Sequence, residues 1–289
     1  MSSIIKVLPL EIISLIIEDL GSDEHPSQSL KSCALSCQTF LPLCQKELFR
    51  KMSLLDDRTR STFVELVRQS PRLAQHVREL AYAPKAEECV DSLDTDTSIS
   101  ALLHVFKKLR RITITFPGPR RSSFQDWQQL SPSLRSTLLS LLHLPLITSI
   151  RLRNIRNFDY FDLVPCTGLR ELDLHEVLPV ELGNAYSMLR SALPVKPIQL
   201  QRLKLTDQHP NEKKVVPSFT EISRIVKYNR NDSASVLDLA GLVDVAITQL
   251  VDLGIASNII KRSWSLKSVV LGFSYRRTCY SWYRLYSRL

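Results

Sequence analysis

Glycine is scarce in this chain, with seven among 289 residues. Neither G-x-G-x-x-G nor G-x-x-x-x-G-K-[ST] occurs, so the loops that cradle nucleotide phosphates on bare backbone are missing. No G-x-S-x-G elbow is present to expose a nucleophilic serine. The six histidines (His25, His76, His104, His143, His175 and His209) are scattered, with no metal-ligand pair among them. Six cysteines (Cys33, Cys37, Cys44, Cys89, Cys166 and Cys279) form no dense framework and read as small buried hydrophobes. Cys33 and Cys37 supply only half of a zinc site, since no CxxC or His pair completes it. No metal, no cofactor and no catalytic role are therefore expected. Long apolar runs are also missing: nothing approaches the roughly 18 residues of a bilayer span. Pro9, Glu11, Glu18 and Asp19 interrupt the one N-terminal stretch that resembles a signal sequence. The expectation is an intracellular protein, cytoplasmic and/or nuclear, with no membrane span.

Charge is lopsided in one place only. The formal net charge is +9, yet Ser257 to Leu289 holds seven Lys or Arg and no acid. The first 256 residues carry 31 basic and 29 acidic side chains, close to balance. Residues 275–289 interleave Tyr275, Tyr280, Trp282, Tyr283 and Tyr286 with arginines, a pattern that suits stacking and phosphate neutralisation on single-stranded nucleic acid. It also suits a membrane surface or the plain end of a fold. The confinement of the excess to this tail argues against nucleic-acid binding as the main function.

What the chain does have, within its first fifty residues, is an excess of apolar surface. Residues 8–20, Leu-Pro-Leu-Glu-Ile-Ile-Ser-Leu-Ile-Ile-Glu-Asp-Leu, read as a helix opened by Pro9. Glu11, Ser14 and Glu18 make one narrow polar stripe. Leu10, Ile12, Ile13, Ile16, Ile17 and Leu20 cover well over half the circumference, far more than the stripe of about 100° that faces a single core. Something besides its own small domain must cover this helix. A polar turn with Gly21 and Pro26 follows, then a helix with Leu30, Cys33, Ala34 and Cys37 at i, i+3, i+4, i+7. A third helix begins near Pro42 and carries Leu43, Cys44, Leu48 and Phe49. A helical unit of about 45 residues holds too little core to stand without help.

The order Leu8-Pro9-x-Glu11-Ile12, then Leu30-x-x-Cys33-Ala34-Leu35-Ser36-Cys37-x-x-Phe40, then Leu48-Phe49-Arg50 closely resembles the F-box, especially its fungal variety, over residues 5–54. The resemblance implies docking onto a Skp-type adaptor that hangs from a cullin scaffold. The implied adaptor-binding residues are Leu8, Pro9, Ile12, Ile13, Ile16, Leu35, Cys37 and Phe40. Phe40 stands where many members carry Trp, which keeps an aromatic anchor and loses the indole hydrogen bond. Read from the residues alone, the same arc could instead pack under the chain's own later segments.

The rest of the chain repeats a pattern of apolar-x-x-apolar-x-apolar. It occurs at Val77-Leu80-Tyr82, Leu109-Ile112-Ile114, Ile147-Ile150-Leu152, Leu169-Leu172-Leu174, Leu200-Leu203-Leu205 and Leu266-Val269-Leu271. Leu237-Leu239 fits with Ala234 at the first position, and Met52 and Leu54 suggest a lead-in strand. Successive middle positions are 22 to 38 residues apart. Helical stretches intervene at residues 60–69, 134–144 and 219–228, which implies parallel strands joined by right-handed crossovers. The pattern resembles a degenerate leucine-rich repeat. The expected fold is therefore α/β: an N-terminal three-helix F-box-like unit over 5–54, then an irregular leucine-rich-repeat-like solenoid over 55–274 with its helices on the convex side, then a basic aromatic tail over 275–289. An ordinary doubly wound sheet has similar strand spacing and is the alternative.

If the repeated apolar positions point into the core, the alternate ones line the opposite face of the sheet. Arg151, Asp173, Lys204 and Asp238 would then lie side by side with alternating sign. That row reads as a self-neutralising ladder or as a mixed-charge surface for a protein partner. Candidate substrate-binding residues are Arg111, Arg151, Arg153, Asp173, His175, Lys204 and Asp238. Taken together, the resemblances imply the substrate-recognition subunit of a cullin-based, SCF-type ubiquitin ligase with an unknown protein substrate. A non-catalytic interaction scaffold is the second reading, and nucleic-acid binding through the tail is the third. The 84–100 loop, which begins Pro84-Lys85-Ala86-Glu87-Glu88 and continues acidic and Ser/Thr-rich, reads as a solvated connection.

Overall fold

The computed structural model describes residues 8–22, 26–84, 103–116, 125–179, 197–206, 236–250, 257, 259–261, 263, 265–274 and 280–286. Three helices come first: α1 (Leu10–Leu20), α2 (Pro26–Ser36) and α3 (Leu41–Leu48). Pro9 is the residue ahead of α1, with φ −56° and ψ 145°, so it sets the entry angle without joining the helix. These helices share a small core of Ile13, Ile17, Leu30 and Cys44, against which Leu20, Cys33, Ala34, Phe40, Leu43 and Leu48 pack. A salt bridge of 2.9 Å from Lys46 to Glu18 ties α3 to α1. Burial pushes the Cys44 thiol up to about 11, with the neighbouring Cys33 thiol adding to the shift.

Beyond α3 the chain builds an α/β structure around a mostly parallel sheet. Its strands are β1 (Lys51–Leu54), β2 (Glu79–Tyr82), β3 (Arg111–Thr115), β4 (Gln125–Asp126), β5 (Ser149–Phe158), β6 (Glu171–Pro179), β7 (Ile198–Gln199), β8 (Arg202–Thr206), β9 (Leu237–Asp238), β10 (Asp244–Leu250), β11 (Ser268–Ser274) and β12 (Tyr280–Tyr286). The main sheet runs β1-β2-β3-β5-β6-β8-β10-β11-β12, with β4 pairing an extension of β5. Strand order follows chain order throughout. A doubly wound sheet reverses direction partway, so that alternative does not describe this chain.

The register follows the repeat found in the sequence. Leu80, Ile112, Ile150, Leu172 and Leu203 are aligned on successive strands, and all are buried. Two helices cover this apolar face: α4 (Asp57–Gln69) through Phe63 and Val67, and α5 (Pro132–Leu142) through Leu134, Leu138, Leu141 and Leu142. Both helices are capped at their starts. Asp56 accepts from the Thr59 amide at 2.8 Å, and Ser131 from that of Leu134 at 3.3 Å, filling donors that the first turn leaves unpaired. An edge-to-face cluster of Phe116, Trp127, Phe158 and Tyr160 closes the core above the strand ends, and Trp127 donates to Asp162 at 2.7 Å. Arg60, almost fully buried, donates to the Ala83 carbonyl and lies 5.6 Å over the Tyr82 ring.

Two paired strands carry a kink that changes their phase. Asn154 (φ 59°) and Glu176 (φ 53°) both adopt the left-handed region, and they fall between aligned pairs Arg153–His175 and Ile155–Val177. A left-handed residue breaks the two-residue alternation, and this one returns Ile155 and Val177 to the buried side. Asn tolerates that conformation, and Asn154 also donates to the Phe116 carbonyl at 3.1 Å.

Three expectations about strands need correction. Leu237–Asp238 is a strand, but it pairs with Ile198–Gln199 in a separate two-stranded sheet. The place beside β8 goes to β10, seven residues further on, whose buried Val245 and Ile247 align with Leu203 and Leu205. Tyr280–Tyr286, expected as part of a tail, is the antiparallel edge strand β12, aligned with all of β11. Its Tyr- and Trp-rich composition favours a pleated strand. The helix expected over 219–228 lies outside the described residues. No described helix is long and apolar enough to cross a membrane.

Candidate functional site

The broad apolar arc of α1 is shared between two destinations. Ile13 and Ile17 turn inward, 6% and 2% exposed, with Leu20 packed against the same core. Ile12, Leu15 and Ile16 turn outward, at 42%, 61% and 49%. On a helix with 100° per residue, Ile12, Leu15 and Ile16 form a stripe roughly 100° wide, and Leu8 continues its line. Leu8 and Pro9 are exposed as well. The ridge is open to solvent in this structure.

The other helices add to it at their ends. Leu35, in the last turn of α2, is 90% exposed, and Leu41, which opens α3, is exposed too. Seven large aliphatic residues (Leu8, Leu10, Ile12, Leu15, Ile16, Leu35, Leu41) therefore stand exposed on a unit of about forty residues. Exposed singly, such residues need no explanation, but a grouping this dense is uncommon on a free surface. Cys37 and Phe40 are half-buried between α2 and α3, and Phe40 packs against the unit's own core. Hydrogen bonds from the Thr39 hydroxyl and amide hold the Cys37 thiol below its ordinary pKa.

The structure thus brings Leu8, Pro9, Ile12, Ile16 and Leu35 to the exposed side, as the resemblance implied. It places Ile13 elsewhere. Ile13 sits one residue around the helix from Ile12 and fills the gap against Leu30 and Cys44, so it is a core residue rather than a docking residue. Leu15 and Leu41 belong to the ridge and were missed. The signal for Leu15 was its i+3 spacing from Ile12; Leu41 has no comparable periodic signal.

The second surface is the polar face of the sheet. Its lower row pairs opposite charges across strands. Arg111 meets Glu79 at 3.7 Å, and Arg202 bridges Glu171 at 2.9 Å and Asp244 at 3.0 Å. In the middle row Arg151 donates to Asp173 at 2.5 Å, and Lys204 follows on the next strand without an ion pair among the described residues. Asp238 does not extend that row. It lies on the small second sheet and caps a turn by accepting from the Ala240 amide at 2.9 Å. Ala246 takes its expected place beside Lys204. Asp244, which sequence reasoning passed over because β10 was not foreseen, supplies the acid one row below.

The upper row holds Arg153, His175 and Thr206 in register. Three buried polar atoms here have no hydrogen-bond partner: Arg153 Nε, Asp173 Oδ1 and Thr206 Oγ1. Such atoms normally find one, and three on neighbouring strands mark a place where a ligand's donors and acceptors could be matched. Burial foremost, then the adjacent Arg153 and Lys204, lowers the His175 pKa despite the opposing pull of Asp173. The centre of the face therefore holds two cations with no ion pair among the described residues, Arg153 and Lys204, beside one already paired carboxylate. Arg111, Arg151, Arg153, Asp173, His175 and Lys204 do share this face; Asp238 does not. No family model matches this chain, and no curated protein matches it.

Proposed function

We propose that this protein is the substrate-recognition subunit of a cullin-based, SCF-type ubiquitin ligase. In this reading α1–α3 is an F-box-like unit that docks a Skp-type adaptor, and the repeated sheet is leucine-rich-repeat-like and binds a protein substrate. The single observation that carries the proposal is the open aliphatic ridge of Leu8, Ile12, Leu15, Ile16 and Leu35. It stands on the helices whose sequence resembles the F-box, and Leu8, Ile12, Ile16 and Leu35 are among the residues that resemblance names.

The protein itself would do no chemistry. Docked at one end and holding substrate at the other, it would raise the local concentration of substrate beside the ubiquitin-charged enzyme, turning an encounter into an effectively intramolecular step. The cationic centre of the sheet face, with its unmatched buried donors, favours an acidic segment of the substrate. Co-expression with a Skp-type adaptor and cullin tests the whole. The expected result is a stable ternary complex that ubiquitinates a bound client. Adaptor binding without cullin-dependent turnover would leave a non-catalytic interaction scaffold, and absence of the adaptor would remove the receptor reading altogether.

A further inference from the structure

Where the helical unit meets the start of the sheet lies a cavity of about 510 Å³, within the range of small-ligand sites. Its lining includes five Lys or Arg residues and three Glu. Three of those cations are matched: Lys46 to Glu18 at 2.9 Å, Arg50 to Glu47 at 3.1 Å, and Arg111 to Glu79 at 3.7 Å. Among the described residues, Arg78 and Arg110 make no ion pair. There the guanidinium of Arg78 donates to the backbone carbonyls of Gln75 at 2.7 Å and Val77 at 3.4 Å.

The fold forces these cations together. Arg50, Arg78 and Arg110 each precede a strand, and the Arg78 amide donates to the Arg50 carbonyl at 2.9 Å as the Arg110 amide donates to the Arg78 carbonyl at 2.8 Å. Neighbouring strands lie about 4.8 Å apart, so like charges face one another across the ladder, an arrangement that is unfavourable by itself. The strain registers in the titration of the groups. Burial first, then Arg110 and Arg50, pulls the Arg78 guanidinium below its usual range, against a smaller opposing pull from Glu47. His76 on the same wall is likewise lowered by burial and then by Arg78, Lys108 and Lys46.

We propose that this junction cavity binds a small, free phosphate-type oxyanion, held by the guanidinium groups of Arg78 and Arg110. Planar guanidinium forks match phosphate oxygens, and the anion supplies the negative charge that the two residues lack. Lys46 and Arg50 reach the cavity from the helical side and Arg78 and Arg110 from the sheet, so a bound anion would tie the two together. This site is independent of adaptor docking.

The test uses the full chain, with calorimetric titration of inorganic phosphate and pyrophosphate and thermal melts against sodium chloride of equal ionic strength. Phosphate and pyrophosphate are expected to raise Tm by at least about 2 °C over chloride. Arg110→Gln should weaken binding by roughly tenfold or more, while Arg156→Gln, outside the cavity and paired with Asp126, should bind as the wild type does. Without ligand, Arg110→Gln should melt no lower than the wild type, because it removes a repulsion. The proposal is overturned if chloride does what phosphate does, if Arg78→Gln/Arg110→Gln still binds, or if Arg156→Gln loses binding as fully as Arg110→Gln.

Discussion

Ile16 and Ile17 are neighbours in sequence and opposites in the fold, which makes them a sharp pair for testing adaptor docking. Ile16 is 49% exposed and Ile17 is 2% exposed. At Ile16, docking would bury the remaining half of the side chain, worth about 1 kcal/mol. An aspartate there gains nothing from burial and leaves an unpaired charge in the interface, adding several kcal/mol. Ile16→Asp should therefore weaken adaptor affinity by roughly 4 kcal/mol, about a thousandfold. Free of adaptor it should keep its fold, since exposed substitutions shift stability by about 0.5 kcal/mol or so. Ile17→Asp places a charge in a core of only four buried residues and should unfold α1–α3 outright. The assay is calorimetric titration with purified adaptor alongside helical circular dichroism melts of each variant. The reasoning is refuted if Ile16→Asp binds within threefold of wild type, or if it melts as Ile17→Asp does.

Other consequences are narrower. Iodoacetamide should modify Cys37 ahead of Cys44 and Cys166, whose thiols burial pushes up to about 11 and about 12, and bound adaptor should slow the Cys37 reaction; mass spectrometry of timed samples reads the order. Asn154→Val should cost about 2 kcal/mol through the left-handed backbone and the lost bond to the Phe116 carbonyl, and Asn154→Gly less, as denaturant titration would show. His175 has a folded pKa below its unfolded value near 6.5, so its contribution to stability is fully present above that pH and is lost as pH falls. Melts at pH 8 and pH 5 should accordingly show a smaller decline for His175→Gln than for wild type, and an equal decline would contradict the assignment.

Much of the fold was legible because the chain writes its core in a simple period. From Leu80 to Leu203 the repeated triplets name the buried residues of five strands and their register, since one buried face admits only one phase. The pattern gave out where two candidates competed. Leu237-x-Leu239 and Val245-x-Ile247 are equally apolar, and both sets of residues are buried. The repeat by itself does not decide which of them joins the main sheet, and β10 is the one that does. The kinks at Asn154 and Glu176 were hidden for another reason. Glu is a poor advertisement for a left-handed backbone, so only pairing between two long strands betrays it.

The ridge shows the limit of reading a helix as a wheel. Periodicity measures how wide an apolar arc is, and the arc of α1 is too wide for one core. It does not say where the inner half ends. That line falls between Ile12 and Ile13, and it is drawn by what stands opposite: Leu30 from α2 and Cys44 from α3 fill the space beside Ile13 and leave none for Ile12. The same reasoning explains why Leu35 faces solvent while Cys33 and Ala34 in the same helix pack inward. A unit this small can hide about one side of each helix, so apolar surface in excess of that side is left facing solvent.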